Sequence, residues 1–419
     1  SYNILSLIDK IKTKDPKVFP IYINISRGKF WQHLKNLLTG KEVFFSQNFD
    51  AGDISSSLNN ALSDFSIKVK KHKNIEIFNF FGVDLRDILS AYVAKSSIGE
   101  MALLENSIKK MHGIFDAQKP YFALSQHALG YSYALGEMCS IENIPSLLIT
   151  HGTHTLQKED KYAQIEWGEH AKTIINAKFS HSAIQSPIAD EFFNSLDDKY
   201  STGLKTGPLI YSRVKRDKSL SKLKEWLIGK MHVDKKIIIH AGTPKGNSAI
   251  RPWVYETIDE YVRNINDLID AVDSLKDVYL IVRFRPSEGL NKADFSKLVK
   301  PSDNYDIYSD GPFDDYLAAS DLLVSYSSTT IEEALQNDVV VLQYDHDDKY
   351  MHIQAPVIIE GQELDTSPIY YCGNKGELKN SINVILKNIN LIKLEKHKWD
   401  LYRYPVDDKL EWLDKLLSK

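Results

Sequence analysis

The sequence predicts an α/β fold made of two Rossmann-like, doubly wound domains that face a central cleft. Three observations predict it: short continuous apolar runs, helical segments between them, and a second start of the same alternation halfway along the chain. Strands buried on both faces of a parallel sheet are apolar throughout, and helices cover such a sheet on both sides. At 419 residues the chain is also too long for a single hydrophobic core, since such cores stop growing near roughly 250–300 residues.

The first domain is predicted to span residues 1–210. Its strands are predicted at Val18–Ile25, Val43–Ser46, Ile75–Phe80, Phe122–Ser125, Ser146–Thr150, Thr173–Ile175 and Ser182–Gln185. Its helices are predicted near Phe30–Leu38, Val83–Asp116, Leu129–Asn143 and Pro187–Leu196. No Gly-x-Gly-x-x-Gly follows any of these strands, so the dinucleotide fingerprint is missing from a Rossmann-like layout. The charged stretch Arg213–Lys222 is predicted to be a surface connection.

The second domain is predicted to span residues 211–390. Its strands are predicted at Lys236–His240, Val278–Phe284, Tyr305–Ile307, Leu322–Val324, Val339–Leu342, Val357–Ile359 and Ile369–Tyr371. Its helices are predicted near Val254–Leu275, Phe313–Ala319 and Lys375–Asn388, with another opening at Ser327 to Thr330. Residues 391–419 are predicted to form C-terminal helices that pack back across the first domain.

The composition excludes several classes of protein. A formal net charge of -4 provides no basic surface for nucleic acid, so no nucleic-acid partner is expected. The two cysteines, Cys139 and Cys372, match no metal or redox spacing, which favours a reducing, cytoplasmic location. No apolar run approaches the ~18 residues that a membrane-spanning helix needs. The protein is therefore expected to be soluble, or at most peripheral to the cytoplasmic face of an inner membrane.

A hydroxyl-rich turn follows the predicted strand Leu322–Val324. Ser327, Ser328 and Thr329 open a helix there, and the free backbone N–H groups of a helix start bind anions such as phosphate. The alternative is an ordinary helix cap, because two Ser/Thr-x-x-Glu pairs fit the capping-box pattern. These pairs are Thr329 with Glu332 and Thr330 with Glu333.

The turn after strand Lys236–His240 is the second candidate for anion binding. Its candidate residues are His240, Gly242, Thr243 and Lys245. Glycine allows the backbone to approach a ligand, and the lysine supplies a positive charge. A plain Gly/Pro turn is the alternative.

The turn after strand Val278–Phe284 is the third candidate. Arg283 and Arg285 flank a phenylalanine there, and Pro286 restricts the turn. Two arginines at a strand end meet either an anionic ligand or a carboxylate in a structural salt bridge. All three turns follow strands of one parallel sheet, so they are expected to line one crevice.

The second domain resembles the C-terminal domain of GT-B glycosyltransferases. The run Glu333–Val341 is similar to their Glu-Ala…Val-Val pattern, which implies that Glu333 binds ribose hydroxyls. Arg283–Pro286 with Ser327–Thr329 resembles the paired motifs of bacterial transferases that use CMP-activated sialic acid or 3-deoxy-manno-octulosonic acid (Kdo), with Arg285 where the sialyltransferase motif has histidine. The β-Kdo transferases of surface polysaccharide assembly are the most similar subtype.

Four candidate catalytic residues follow strand Ser146–Thr150. They are His151, His154, Glu159 and Asp160. A base or nucleophile is needed at the cleft, and loops after buried parallel strands supply such groups. For each histidine the alternative is a loop or core residue with its hydrogen bonds satisfied.

No metal site and no cofactor are predicted. His151 and His154 have neither helical i, i+4 spacing nor a known zinc spacing. The acidic run Asp345–Asp348 is interpreted as a polar loop, with an Asp-x-Asp metal site as the alternative.

The resemblance implies a glycosyltransferase that moves Kdo, or another 2-keto acid sugar, from a CMP donor to a glycan or lipid-linked glycan acceptor in lipopolysaccharide or capsule synthesis. Lys245 and the amides of Ala241–Thr243 are expected to hold the sugar carboxylate, and Asp160 or Glu159 to act as base or nucleophile. Three alternatives stay open: a UDP-sugar transferase, a CDP-glycerol-type transferase, and a non-catalytic binding module of an assembly complex. Further transferase modules are compatible with this expectation.

Overall fold

The structure, a computed structural model, describes most of the chain. The described ranges are 4–17, 54–74, 76–80, 82–95, 97–126, 128, 130–150, 154–157, 160–211, 234–244, 251, 253–286 and 290–418. Four predicted features lie outside them: the strands Val18–Ile25 and Val43–Ser46, the helix near Phe30–Leu38 and the connection Arg213–Lys222.

The chain divides into two compact units. The large unit contains Ser1–Leu7, Leu147–Ala177 and His181–Lys419, and the small unit contains Ile8–Ser146 and Lys178–Ser180. The domain boundaries at residues 210 and 390 stay a prediction.

Helices dominate the chain up to residue 146. The elements are α1 (Ile4–Lys14), α2 (Ser56–Lys70), β1 (Asn79–Phe80), β2 (Val83–Asp84), α3 (Arg86–Lys95), α4 (Ser97–Ala117), β3 (Ala123–Ser125), α5 (Tyr131–Ile141) and β4 (Ser146–Leu148). In the small unit, α4 packs on α5 through an apolar cluster that includes Met111, Phe115, Met138 and Cys139.

Two predicted elements of the small unit differ from the structure. The predicted strand Ile75–Phe80 is a 3-10 turn, Glu76–Phe78, followed by β1, which pairs antiparallel with β2. Gly82 lies between them with φ at +84°, a left-handed conformation that glycine adopts without steric cost, so the chain reverses there. The single helix predicted near Val83–Asp116 is β2 followed by α3 and α4.

Three strands of the first sheet lie in the large unit and run parallel. After β4 come α6 (Lys161–Ala163), a π-helical turn (Gln164–Gly168), α7 (Glu169–Ile175), β5 (His181–Ile184), α8 (Pro187–Asn194) and β6 (Thr202–Lys205). Leu147 pairs with His181, and His181 pairs with Thr202. The predicted strand Thr173–Ile175 is wrong, because it is the last turn of α7; an apolar run this short does not distinguish a strand from a helix.

The second sheet of the large unit contains six parallel strands. Its elements are β7 (Lys236–Gly242), α9 (Ile258–Asp273), β8 (Val278–Phe284), α10 (Lys292–Leu298), β9 (Tyr305–Tyr308), α11 (Phe313–Ala319), β10 (Leu322–Ser325), α12 (Thr330–Gln336), β11 (Val340–Tyr344), β12 (Ile369–Cys372) and α13 (Lys375–Leu394). The strand order is β12-β11-β10-β7-β8-β9, the doubly wound order of Rossmann folds. Most strand residues are buried, as a sheet covered on both faces requires.

Two details of this half differ from the sequence prediction. The helix predicted near Val254–Leu275 begins at Ile258, because Thr257 and Glu260 form a capping box before it. The predicted strand Val357–Ile359 is reduced to one isolated bridge, between Val357 and Tyr371.

The C-terminal segment returns to elements that precede residue 210. It contains α14 (Lys396–Trp399) and α15 (Glu411–Leu417), and α15 packs against β6. The hydroxyl of Tyr404 donates to Asp190 of α8 at 2.9 Å. The predicted crossing and the predicted α/β fold with two parallel sheets are confirmed. Among the described helices, none combines the length and apolar composition needed to span a membrane.

Candidate functional site

The six-stranded sheet has a topological switch point between β7 and β10. From β7 the chain builds β8 and β9 on one side, and it then returns to build β10, β11 and β12 on the other. Val324 of β10 pairs with His240 of β7, so both strands end at the same edge. Ligands of open parallel sheets bind outside this edge, because the turns that follow the two strands run apart. The three predicted nucleotide turns follow β7, β8 and β10, so the structure brings them to one edge.

The turn after β7 combines buried and accessible side chains. His240 is 2% exposed, and its ring meets the ring of Tyr261 edge-on at 5.4 Å. Burial lowers the pKa of His240 to about 3, so the imidazole is neutral at neutral pH. Gly242 is buried, whereas Thr243 is partly exposed. The predicted ligand Lys245 lies outside the described residues.

The turn after β8 presents one arginine and uses the other within the fold. The half-buried Arg283 donates to the carbonyl of Gly311 at 2.9 Å, and its guanidinium lies 5.2 Å from the ring centre of Tyr316. The structural alternative was a salt bridge between the arginine and a carboxylate. In the structure, backbone carbonyls accept the hydrogen bonds of Arg283 instead. Arg285 and Pro286 are exposed, and no hydrogen bond or ion pair joins Arg285 to another described residue. Arg285 is thus available to an anion.

The turn after β10 carries the predicted hydroxyl groups. Ser327, Ser328 and Thr329 are partly exposed, and the Oγ of Ser327 donates to the carbonyl of Val254 at 2.8 Å. Helix α12 begins at Thr330, but neither predicted capping box forms: Thr329 makes no capping bond with its side chain, and the Oγ1 of Thr330 has no hydrogen-bond partner. The last candidate here, Glu333, is partly buried on α12.

The neighbouring carboxylate, Glu332, has a structural role that the sequence did not indicate. It is 3% exposed and accepts hydrogen bonds from the hydroxyls of Ser186, at 3.1 Å, and Tyr211, at 2.5 Å. The Ser/Thr-x-x-Glu pattern marked this residue as a helix-capping partner. These two partners lie more than 100 positions away, so no local pattern could have identified them.

The candidate catalytic turn of the first half is only partly described. His151 and Glu159 lie outside the described residues. His154 is 1% exposed, its Nε2 lies 2.7 Å from the Oγ1 of Thr150, and its ring stacks on Phe192. His154 is therefore a core residue, with one ring nitrogen beside the hydroxyl of Thr150.

Asp160 is held by contacts on both of its carboxylate oxygens. Its Oδ1 caps α6 by accepting from the backbone N–H groups of Tyr162, at 2.8 Å, and Ala163, at 3.0 Å. Its Oδ2 accepts from the indole Nε1 of Trp253 at 2.5 Å. A carboxylate that serves three donors is poorly placed to take a proton, so these contacts favour a structural role for Asp160.

Trp253 and Val254 connect the Asp160 segment with the turn after β10. Their backbone N–H groups donate to the carboxylate of Glu166, at 2.8 and 3.2 Å, within the π-helical turn. Their carbonyls accept from the hydroxyls of Tyr326, at 2.9 Å, and Ser327, at 2.8 Å. No sequence pattern indicated a role for these residues. Five-residue helical turns of this kind recur at functional sites, but their hydrogen-bond pattern is visible only in coordinates.

The acidic run Asp345–Asp348 is occupied by protein partners. The carboxylate of Asp345 accepts from the backbone N–H groups of residues 347, 349 and 350. The other three side chains contact, in order, Asp267, Arg263 and Tyr371. Among the described residues, no group of three histidine, cysteine, aspartate or glutamate side chains is arranged to hold a metal ion.

A cavity of about 430 Å³ lies against α9 and α13, away from the three turns. It is lined by Asp259, Val262, Arg263, Asn266, Asp267, Leu298, Lys300, His346 and Lys375. Its cations are engaged: Lys300 pairs with Asp270, and Lys375 pairs with Asp267 and Asp270. These ion pairs account for the charges, so we do not place the ligand there.

Comparisons with known proteins identify general similarities. No protein-family profile matches the chain. A dynein heavy chain-like protein 1 of Plasmodium falciparum is 22% identical over 291 residues, which cover 66% of this chain and 6% of that protein. The chain therefore spans a small fraction of the length of this relative.

Several solved structures superpose on most of the chain. A UDP-N-acetylglucosamine 2-epimerase of Listeria monocytogenes has 15% identity and a TM-score of 0.46, covering 76% of this chain and 78% of its own. A UDP-GlcNAc 2-epimerase of Methanocaldococcus jannaschii, in complex with UDP-GlcNAc and UDP, has 12% identity and a TM-score of 0.46, covering 76% and 81%. A sucrose-phosphate synthase of Thermosynechococcus elongatus has 12% identity and a TM-score of 0.43, covering 75% and 74%. Superposition at this level assigns no ligand or activity to the chain.

Proposed function

We propose that the chain is a metal-independent GT-B glycosyltransferase that transfers Kdo, or a related 2-keto acid sugar, from a CMP donor to a glycan acceptor. The switch point between β7 and β10 carries this proposal, because Thr243, Ser327 and Ser328 are partly exposed on the turns that flank it. The choice of CMP and Kdo depends on the resemblance of Arg283–Pro286 and Ser327–Thr329 to motifs of CMP-sugar transferases.

The chemistry of a CMP donor suits these residues. The leaving group carries one phosphate, so its charge can be met by hydroxyls, backbone N–H groups and one arginine. Ser328 and Thr329 supply the hydroxyls, and Arg285 supplies the exposed cation. Lys245 is proposed to hold the carboxylate of the sugar, and Glu333 the ribose hydroxyls.

The catalytic base is proposed to come from the segment 151–160. Within it, Asp160 and His154 already have structural partners. We therefore place the base or nucleophile at His151 or Glu159. Attack by a base-activated acceptor hydroxyl inverts the anomeric centre, whereas a covalent carboxylate intermediate retains it.

The cellular setting is proposed from the same resemblance to transferases of surface polysaccharide assembly. A lipid-linked glycan acceptor would place the enzyme at the cytoplasmic face of the inner membrane, in lipopolysaccharide or capsule synthesis, where it could act beside other transferase modules.

Two variants test the nucleotide site. Arg285→Ala and Ser328→Ala each remove hydrogen bonds worth about 1–3 kcal/mol, so each should weaken CMP binding by roughly 5- to 150-fold without unfolding the protein. Matched controls are Lys276→Ala, an exposed cation before β8 at the opposite edge of the sheet, and Ser296→Ala on α10. Calorimetric titration with CMP measures the affinities. Wild-type affinity in both site variants would refute the site.

A nucleotide panel separates the alternatives. Thermal unfolding with CMP, UDP, CDP and GDP at equal concentrations should show the largest stabilisation by CMP, because a ligand that binds only the folded state stabilises it more, the tighter it binds. Preference for UDP or CDP would support a UDP-sugar or CDP-glycerol-type transferase. CMP binding without turnover of CMP-Kdo on any glycan acceptor would support a non-catalytic module.

A further inference from the structure

A cluster of polar side chains lies beneath the turn that follows β7. Gly242 has no side chain, and a Cβ atom at this position would lie 3.3 Å from atoms of His240 and Tyr261 and 3.5 Å from the Oε2 of Glu256. Glu256 is 5% exposed and Tyr261 is fully buried. Three polar side chains therefore surround one backbone position at the switch point.

Several polar atoms of this cluster have no partner among the described residues. The Oε1 of Glu256 accepts from the Nδ2 of Asn264 at 2.8 Å, but no described residue bonds to its Oε2. The Nδ1 of His240 and the hydroxyl of Tyr261 are buried and make no hydrogen bond. Burying such atoms without a partner costs about 1–3 kcal/mol each, so a cluster of them indicates that a bound molecule supplies partners.

The charges around Glu256 oppose its ionisation. Glu260 of α9 and Asp345 after β11 are neighbouring carboxylates, and Lys349 pairs with Glu260 at 2.7 Å. Tyr326 after β10 also faces this group, as do His240 and Tyr261. Burial, followed by the charges of Asp345 and Glu260, raises the pKa of Glu256 to about 8, against the hydrogen bond from Asn264 and the charge of Lys349.

At neutral pH the cluster therefore presents hydrogen-bonding groups without charge: a carboxylic acid, a neutral imidazole and a phenol. A protonated carboxyl donates a hydrogen bond that a carboxylate cannot. Asp345 is close enough to disfavour an anion beside them. The complementary ligand group is therefore uncharged, such as a carbonyl, a ring nitrogen or a hydroxyl.

We propose that Glu256 is a ligand-binding residue of the switch-point site, where its carboxylic acid donates a hydrogen bond to an uncharged group of the nucleoside. The Oε2 of this acid lies beside the turn that ends β7, 3.5 Å from the position that a Cβ atom would take at Gly242. This inference rests on the proposed function, which it deepens by assigning the nucleoside, and not the phosphate, to the cluster beneath β7.

The pH dependence of binding tests the assignment. In the wild type the Kd for CMP should rise roughly tenfold between pH 7 and pH 9, as Glu256 loses its proton. Glu256→Gln keeps a neutral donor of the same size, so its affinity at pH 7 should stay within about threefold of the wild type and be flat to pH 9. Glu260→Gln removes the neighbouring carboxylate as a control and should keep the alkaline fall, with its midpoint at lower pH.

Removal of the side chain tests which part of the ligand is contacted. Glu256→Ala should weaken both CMP and cytidine by about tenfold, the loss expected for one hydrogen bond. If CMP weakens and cytidine does not, the contact is with the phosphate and the inference is overturned. An alkaline fall in Glu256→Gln equal to that of the wild type overturns it as well, even if the alanine variant fails to fold. If the wild type binds none of the four nucleotides, the proposed function fails and the inference falls with it.

Discussion

The bond between Asp160 and Trp253 supports a quantitative prediction, because three donors to this carboxylate are described. Asparagine caps helices about as well as aspartate, so Asp160→Asn can keep its Oδ1 on the N–H groups of Tyr162 and Ala163. Its Nδ2 then faces the indole N–H of Trp253, donor against donor. The charge-assisted bond is lost, and we expect a destabilisation of about 1.5–3 kcal/mol.

A double-mutant cycle measures this bond directly. Trp253→Phe removes the indole N–H and keeps an aromatic ring beside Tyr162. Urea unfolding followed by circular dichroism should show that Asp160→Asn and Trp253→Phe couple by about 1–2 kcal/mol. Asp190→Asn, which replaces a carboxylate in the first turn of α8, is the control and should be additive with Trp253→Phe within about 0.5 kcal/mol. Additivity of the first pair would refute the described bond.

The same variants separate a structural role of Asp160 from a catalytic one. If Asp160 acts only by holding Trp253, both single variants should reduce turnover of the donor to a similar extent. If Asp160 is the base or nucleophile, Asp160→Asn should reduce kcat far more than Trp253→Phe does, while CMP affinity changes little in either. The contacts of the carboxylate lead us to expect the first result.

Three further predictions use other parts of the chain. Burial lowers the pKa of His240 and His352 to about 3, below the value of an exposed histidine. Below about pH 6.5 the unfolded chain therefore binds more protons than the folded chain. The free energy of unfolding should fall as the pH decreases. In His352→Gln the slope of the unfolding free energy between pH 6 and pH 4 should be shallower by about 1.4 kcal/mol per pH unit, and an unchanged slope would contradict neutral burial. Gly207→Ala should destabilise the protein by at least about 2 kcal/mol in chemical denaturation, because φ is +65° and the new Cβ would lie 2.5 Å from the carbonyl oxygen of Pro405; a neutral effect would refute the close approach. Turnover should survive excess EDTA, and loss of activity that magnesium or manganese restores would refute the metal-free mechanism.

Apolar periodicity predicted the main elements of the second sheet because burial on both faces leaves a continuous signal. The strands around Ile238, Leu280, Val324 and Val341 were predicted within a few residues of their observed bounds. Short or mixed segments lack this signal. Thr173–Ile175 has the composition of a buried strand, but Ala171, together with Ile175, packs into the core as one side of a helix.

The strand order decides where the candidate site lies. The local sequence identified the turn residues of this site but not their hydrogen-bond partners. The hydroxyl and arginine turns were recognisable because they follow apolar strands, and a parallel sheet brings the ends of its strands to one edge. Their detailed roles depend on contacts between distant segments: Glu332 bonds to Ser186 and Tyr211, and Asp160 bonds to Trp253.

Residue types and their order along the chain therefore determined the fold class and the edge of the sheet that carries the candidate site. Tertiary structure alone decided which carboxyl groups are committed to the fold and that burial raises the pKa of one of them, Glu256, to about 8. The physical reason is that apolar burial follows a local period, whereas a hydrogen bond or a pKa depends on groups that only folding brings within a few ångströms.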